Sequence, residues 1–162
     1  MVDLRPINQQ NWEIAIQLDV LPEQQTFVPS VPISIAKAYI KPDGVHYEPF
    51  GIYDQASEQM VGFYCMMHRP HDQRVVYIGG FLIDQRYQRC GFGAAAMKEF
   101  LRKIQIDIPQ AEGVYLTVHP DNLAAERFYS KFGFKKTGFI IDGEDAMALT
   151  FNNRFEQGEV AS

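Results

Sequence analysis

The chain has 162 residues, enough for one domain with a sizeable core, and its 46% apolar and 13% aromatic content excludes an intrinsically disordered polymer. No stretch approaches the roughly 18 consecutive apolar residues of a membrane span, and Met1 is followed at once by Asp3 and Arg5 rather than by a signal peptide, so a cytoplasmic location and no membrane partner are expected. The net charge of −5 is unevenly placed: residues 1–72 hold nine Asp/Glu against four Lys/Arg, whereas residues 73–162 hold eleven of each. That balance argues against nucleic acid as a partner. It leaves two readings of the acidic half, a surface that attracts polycations or a solvated face that aids solubility.

In chain order, Val2 to Ile7, with Pro6 near its end, reads as an edge strand. Asn8 or Asn11 can cap a helix running through Trp12, Ile14, Ala15, Ile16 and Leu18 until Pro22 interrupts it. Residues 21–33 carry three prolines and read as a defined loop. Ser34 can cap a second helix, Ile35 to Ile40, before the turn Pro42-Asp43-Gly44. Phe50 to Asp54 and Met60 to Met67 then form a hairpin around Gln55 to Gln59. The turn His68-Arg-Pro-His-Asp72 leads into a strand, Val75 to Ile83. His68 and His71 invite a metal reading, but Pro70 breaks a helix between them and no third ligand lies nearby in sequence, so no metal is expected. Cys65 and Cys90 lack the spacing of a zinc site or a disulfide framework and read as free thiols.

The apolar run stops at Asp84, a polar basic turn follows, and Gly91 and Gly93 open an amphipathic helix. Ala95, Met97, Phe100, Leu101 and Ile104 lie on its apolar face, and it ends before Pro109. A strand, a tight loop and a helix N-terminus bind anions, because the first N–H groups of a helix have no intrahelical acceptor and the macrodipole adds positive charge. Arg86 and Arg89 add fixed charge beside it. The alternative is an ordinary connection whose glycines only turn the corner. It is no P-loop, since no Gly-Lys-Ser/Thr follows, and Ala96 leaves a dinucleotide fingerprint incomplete.

Gly113 to Val118 is the next strand, Asn122 can cap the helix that ends near Gly133, and Lys135 to Ile141 with Ala146 to Phe151 form a last hairpin around Asp142-Gly-Glu-Asp145. Residues 1–151 read as one domain and 152–162 as a polar tail. The order β, α, α, β, β, β, α, β, α, β, β predicts an α/β fold, a mixed sheet with helices on both faces.

Two stretches carry a family resemblance. Gln88-Arg-Cys-Gly-Phe-Gly93 resembles the Gln/Arg-x-x-Gly-x-Gly/Ala signature of the GCN5-related N-acetyltransferases (GNAT), and Asn122 to Phe134 resembles that family's Asn-x-x-Ala…Phe-Tyr-x-Lys-x-Gly-Phe pattern. The run Phe81-Leu-Ile-Asp-Gln-Arg-Tyr-Gln-Arg-Cys-Gly-Phe-Gly93 is most similar to bacterial spermine/spermidine (diamine) acetyltransferases. The resemblance implies a mixed sheet whose central strands splay apart, with acetyl-CoA in the gap as co-substrate and no metal. Phe81, Leu82 and Ile83 would then offer backbone groups to the pantetheine arm; Gln88, at the head of the loop, would also bind the cofactor. Arg89, Cys90, Gly91, Phe92, Gly93 and Ala94 would cradle the pyrophosphate, Asn122 would contact CoA, and Lys131 would reach its phosphates. Gly79-Gly80 marks either the bulge that forces the strands apart or a place where something packs closely.

The reaction implied is direct attack of a neutral amine on the thioester in a ternary complex, with Tyr129 protonating the leaving thiolate. The strand Val75 to Ile83 lacks the glutamate that some relatives carry, which leaves Asp84, Glu48, Glu23 or a water chain as proton acceptors. Glu23 and Phe27, in the loop that overhangs the acceptor site in the family, join Glu48 and Asp84 as candidate acceptor contacts. The acidic first half suits a polyamine; an aminoglycoside, an amino acid, a protein N-terminus, and a non-catalytic CoA-binding sensor are the other readings. The resemblance is also compatible with a homodimer.

Overall fold

A computed structural model describes residues 1–151; the polar tail predicted at 152–162 lies outside the described residues. The elements are β1 (Val2–Pro6), α1 (Trp12–Ala15), α2 (Val31–Ile40), β2 (His46–Asp54), β3 (Met60–Arg69), β4 (Asp72–Ile83), α3 (Phe92–Asp107), β5 (Gly113–Val118), α4 (Leu123–Ser130), β6 (Lys135–Ile141) and β7 (Glu144–Thr150), with short 3-10 turns at Pro22–Gln24 and Gln85–Tyr87. The strands form one seven-stranded mixed sheet in the order β1-β2-β3-β4-β5-β7-β6, as the alternation of apolar runs and helical patterns predicts. Among the described residues, only the β4–β5 pair is parallel. No helix among the described residues is long and apolar enough to cross a membrane.

Two apolar clusters cover the two faces. On one face, Ala96, Met97, Phe100 and Ile104 of α3, spaced for a single helical stripe, pack with Tyr64, Val76, Ile78 and the α4 residue Tyr129. On the other, Ala15, Leu18, Val20 and Val31 pack on Phe63, Cys65 and Leu82. The first helix is a single turn: Trp12 and Ile14 are exposed, Ala15 alone within it reaches the core, and Leu18 joins the same cluster beyond its end. The second helix begins at Val31, four residues before the predicted start, because Pro32 falls in the first turn, where proline's missing N–H costs nothing.

β2 also begins earlier than the sequence suggests, at His46 instead of Phe50. Pro49 conceals this, since proline cannot donate to a ladder. The β1 pairing ends at Pro6 opposite Phe50, so Pro49 lies where that edge of β2 needs no donor, and its carbonyl accepts from the Ile7 N–H at 2.9 Å. The turn predicted over His68–Asp72 shrinks to Pro70 and His71, and His68 joins β3.

The feature that positions the site is the parting of β4 from β5. They pair over Val75–Tyr77 and Gly113–Tyr115 and no further, although β4 continues to Ile83 and β5 to Val118. Beyond the pairing, β4 takes an extra residue against β3: Cys65 faces Gly79 and Phe63 faces Leu82, leaving Gly80 and Phe81 opposite Tyr64. Gly80 has φ +60°, a left-handed conformation that glycine adopts without strain, and a Cβ there would meet Ser34 Oγ at 3.0 Å. The result is a β-bulge, which bends its strand.

Candidate active site

The gap between the parted strands opens into a cleft of about 830 Å³. One wall is the edge of β4 from Ile78 to Ile83, which β5 no longer covers. Its main-chain groups on that side are free to bond an extended ligand as an added strand would. The Asp84 N–H bonds the Val61 carbonyl of β3 at 2.9 Å, so by alternation Leu82 also faces β3 while Phe81 and Ile83 face the gap. The Ile83 carbonyl is already engaged by Gln88 Nε2 at 3.0 Å, which leaves the Phe81 main chain and the Ile83 N–H as the open stretch.

The glycine loop closes one end. Asp84 caps the turn that begins it, and both Arg89 (φ +60°) and Gly91 (φ +85°) take left-handed conformations, which swing the chain into α3. The ladder of α3 starts with Ala95 N–H to the Gly91 carbonyl at 3.1 Å, so the N–H groups of Phe92, Gly93 and Ala94 point out of the helix end. Arg89, Gly91, Gly93 and Ala94 line the cleft. The side chains of Cys90 and Phe92 do not: the Cys90 thiol is exposed and 3.5 Å from the Gln88 carbonyl, and Phe92 packs edge-on against Tyr87. Gln88 has a structural partner that the sequence did not show. Its amide and that of Gln24 bond reciprocally, at 2.9 and 3.3 Å, and so tie the glycine loop to the loop across the cleft.

The third wall comes from β5 and α4. Asn122 Oδ1 accepts the Ala125 N–H at 3.2 Å and starts α4, which puts Tyr129 at its far end facing the cleft and Lys131 just beyond. The ring of Tyr129 is buried among Phe81, Phe128 and Phe134, while its hydroxyl has no hydrogen-bond partner among the described residues. Burial raises its pKa well above that of an ordinary phenol, which keeps the O–H protonated at neutral pH.

Glu23 and Phe27 line the remaining side. Two residues not singled out in the sequence join them. His119 follows β5 and lies with its ring 5.2 Å from that of Phe27. Its Nδ1 accepts the Asp121 N–H at 3.1 Å, so the neutral ring carries its proton on Nε2. Glu144 opens β7, because Asp142 and Gly143, both at positive φ, make a two-residue hairpin turn; the Asp-Gly pair was the available signal.

Two predicted acceptor or base candidates lie elsewhere. Asp84 is buried and outside the cleft lining, where its carboxylate accepts the Asp19 N–H at 3.0 Å, the Arg86 N–H at 2.9 Å and Arg86 Nε at 2.8 Å. Desolvation would raise its pKa, but the Arg86 side chain and the two N–H groups outweigh it and lower the value. A carboxylate held this way is a strut, not a base. Glu48 lies outside the cleft lining and faces His46 and His68.

With this geometry in view, residues 11–134 match the model of the acetyltransferase (GNAT) family. The chain belongs to that family. Among curated proteins, it is 25% identical over 151 residues to a spermine/spermidine N(1)-acetyltransferase of Bacillus subtilis, covering 90% of this chain and 96% of the relative. It is 29% identical over 92 residues to an N-alpha-acetyltransferase of Sulfurisphaera tokodaii, covering 54% of each. Among solved structures, the spermidine N-acetyltransferase of Vibrio cholerae in complex with CoA and spermine superposes with a TM-score of 0.68 at 18% identity, over 92% of this chain and 95% of that one. The protein is an acetyl-CoA-dependent N-acetyltransferase of the GNAT family, with the mixed sheet and two helical faces of its structural neighbours.

Proposed function

We propose that the protein acetylates a primary amine of a polyamine by direct attack within a ternary complex. The observation that carries this reading is the unpartnered Tyr129 hydroxyl, presented from a buried ring to a cleft whose facing wall is the open edge of β4. Acetyl-CoA lies along that edge, its pantetheine arm bonded to the main chain of Phe81 and the N–H of Ile83. Its pyrophosphate sits against the N–H groups of Phe92, Gly93 and Ala94, with Arg89, Lys131 and the side-chain amide of Asn122 beside it.

The amine lone pair forms the new C–N bond at the thioester carbonyl, and the oxyanion that develops takes an N–H of the open β4 edge. As the C–S bond breaks, the sulfur receives the proton of Tyr129 O–H. Loss of a proton from the amine goes to water and then to the carboxylates that line the cleft, Glu23 and Glu144. These same carboxylates hold the remaining ammonium groups of a polyamine, and Phe27 covers its methylene stem. The acidic first half of the chain draws such a cation toward the site.

The test is CoA release with a panel of acceptors: spermine, spermidine, a neutral primary amine, an aminoglycoside, an amino acid and a peptide N-terminus, alongside direct binding of acetyl-CoA. A higher kcat/KM for spermidine or spermine than for the neutral amine supports the proposal. Equal values for charged and neutral acceptors overturn the polyamine reading, and preferential turnover of the peptide reassigns the acceptor to a protein N-terminus. Acetyl-CoA binding without turnover of any acceptor overturns catalysis in favour of a sensor.

A further inference from the structure

The early start of β2 brings together a set of side chains at the opposite end of β3 and β4 from the glycine loop. His46 stands directly across from His68 in the β2–β3 register, and Glu48, two residues on, shares their face of the sheet. One carboxylate oxygen of Glu48 lies 3.1 Å from His46 Nε2 and 3.7 Å from His68 Nε2. One ligand atom from each of the three residues falls within 4.8 Å of the others. None of them lines the acetyl-transfer cleft.

A second observation concerns how His68 is held. Its Nδ1 is 3.0 Å from the carbonyl oxygen of Arg69. A carbonyl only accepts, so Nδ1 donates, and Nε2 is the ring atom that faces the Glu48 carboxylate. Two electron-rich atoms facing each other repel unless a cation stands between them. A backbone carbonyl behind one nitrogen is also the arrangement that orients metal-bound histidines. The His68 side chain is only 7% exposed, whereas those of His46 and Glu48 are 39% and 37% exposed, so the fixed ligand lies inside and the open side faces solvent.

We propose that His46, Glu48 and His68 bind one divalent transition-metal ion, zinc in the first instance, through two imidazole Nε2 atoms and one carboxylate oxygen, with water in the fourth position. This donor set suits zinc and its neighbours and not magnesium or calcium, which take oxygen ligands. Zinc–ligand bonds of about 2.0–2.1 Å at tetrahedral angles place ligand atoms about 3.3 Å apart, between the two separations to Glu48. Rotation of the half-exposed His46 ring closes the third. The ion fastens the start of β2 to the end of β3, where β2 has passed beyond its β1 neighbour. Sequence spacing offers His68 only His71, which sits at the exposed turn and led to no metal being expected; the partners proposed for it come from β2.

The test uses the full chain without an affinity tag, stripped of metal and titrated with Zn²⁺ in competition with a chromophoric chelator. The expected result is one equivalent bound, a rise in unfolding temperature with Zn²⁺, and, with Co²⁺ in its place, the visible absorption of a tetrahedral site. His46→Ala, a change at a half-exposed position, weakens binding by at least the about 10–100-fold that loss of an outer-shell partner costs, and His71→Ala leaves it unchanged. His68→Gln repeats the test from the buried side. Equal zinc retention by the parent and His46→Ala overturns the proposal. So does a parent that retains no equivalent while NMR shows His68 protonated against Glu48, a proton then occupying the place of the metal.

Discussion

The two sides of the cleft are made by different means. The β4 edge and the glycine loop present main-chain groups, set by the parting from β5, the first turn of α3 and the left-handed conformation of Gly91. The side formed by Glu23, Phe27, His119 and Glu144 presents side chains from loops and a strand end. Backbone recognition demands particular φ values, which few residues satisfy, and so leaves a pattern in the sequence. Side-chain recognition on a loop demands only residue types that any exposed turn also carries. One donor can therefore be read across a whole family, while the acceptor must be established protein by protein.

The largest effect is expected where the sides meet. Tyr129→Phe should lower kcat by about 10²–10⁴-fold, the usual contribution of a general acid, while acetyl-CoA affinity, measured by calorimetry, is retained. Because burial raises the Tyr129 pKa, its acid form persists through mildly alkaline pH, and kcat should show no loss from its ionisation below about pH 10. Unchanged turnover in Tyr129→Phe would end the acid role.

Next is the strut that joins the sides. Asp84 bonds the Asp19 N–H ahead of one loop and Arg86 in the other, and Asp84→Asn should cost about 1–3 kcal/mol in urea unfolding, the penalty for disrupting buried hydrogen bonds. Its folded pKa is lowered, so its stabilisation is fully present above the unfolded carboxylate value of about 3.9 and lost as pH falls through the lower folded value. The variant should show a shallower loss of stability over that acid window. Identical acid profiles would show that the strut carries no charge-dependent energy.

Smaller effects separate the two sides. Arg89→Ala and Lys131→Ala, at exposed positions, should each raise the acetyl-CoA KM by up to about fivefold, less at high salt, and leave the spermidine KM unchanged. Glu23→Gln and Glu144→Gln should do the reverse, by about twofold to fivefold for spermidine and nothing for acetyl-CoA. A change in both KM values from either pair would mean that the division between the sides is drawn in the wrong place.

Much of the fold was legible because its signals are local. Apolar runs broken by turn residues predicted each strand and helix, and the glycines after Asp84 marked the start of α3 to within a residue or two of Phe92. What escaped depended on partners distant in sequence. Pro49 argues against a strand until β1 is seen to stop at Pro6, and losing that stretch hid the meeting of His46 and Glu48 with His68. Asp84 looked like a free carboxylate at a strand end, since nothing local reveals that Asp19, 65 residues away, donates to it. Reading residues 142–145 as one turn concealed Glu144 as a strand residue facing the cleft, and the Gln24–Gln88 pair spans 64 residues that no local pattern connects.

The extra residue at Gly80 does more than bend β4: it resets the phase of the strand. Before it, the even-numbered Val76 and Ile78 point to the α3 cluster; after it, the odd-numbered Phe81 and Ile83 do, and Leu82 is transferred to the opposite face. Main-chain groups alternate with the same period, so the inserted residue also exchanges which amides look toward β5 and which toward β3. Deleting Gly80 would therefore turn Phe81 away from Tyr129 and send the wrong amides into the cleft. One glycine decides both the lining of the cleft and the polarity of its edge.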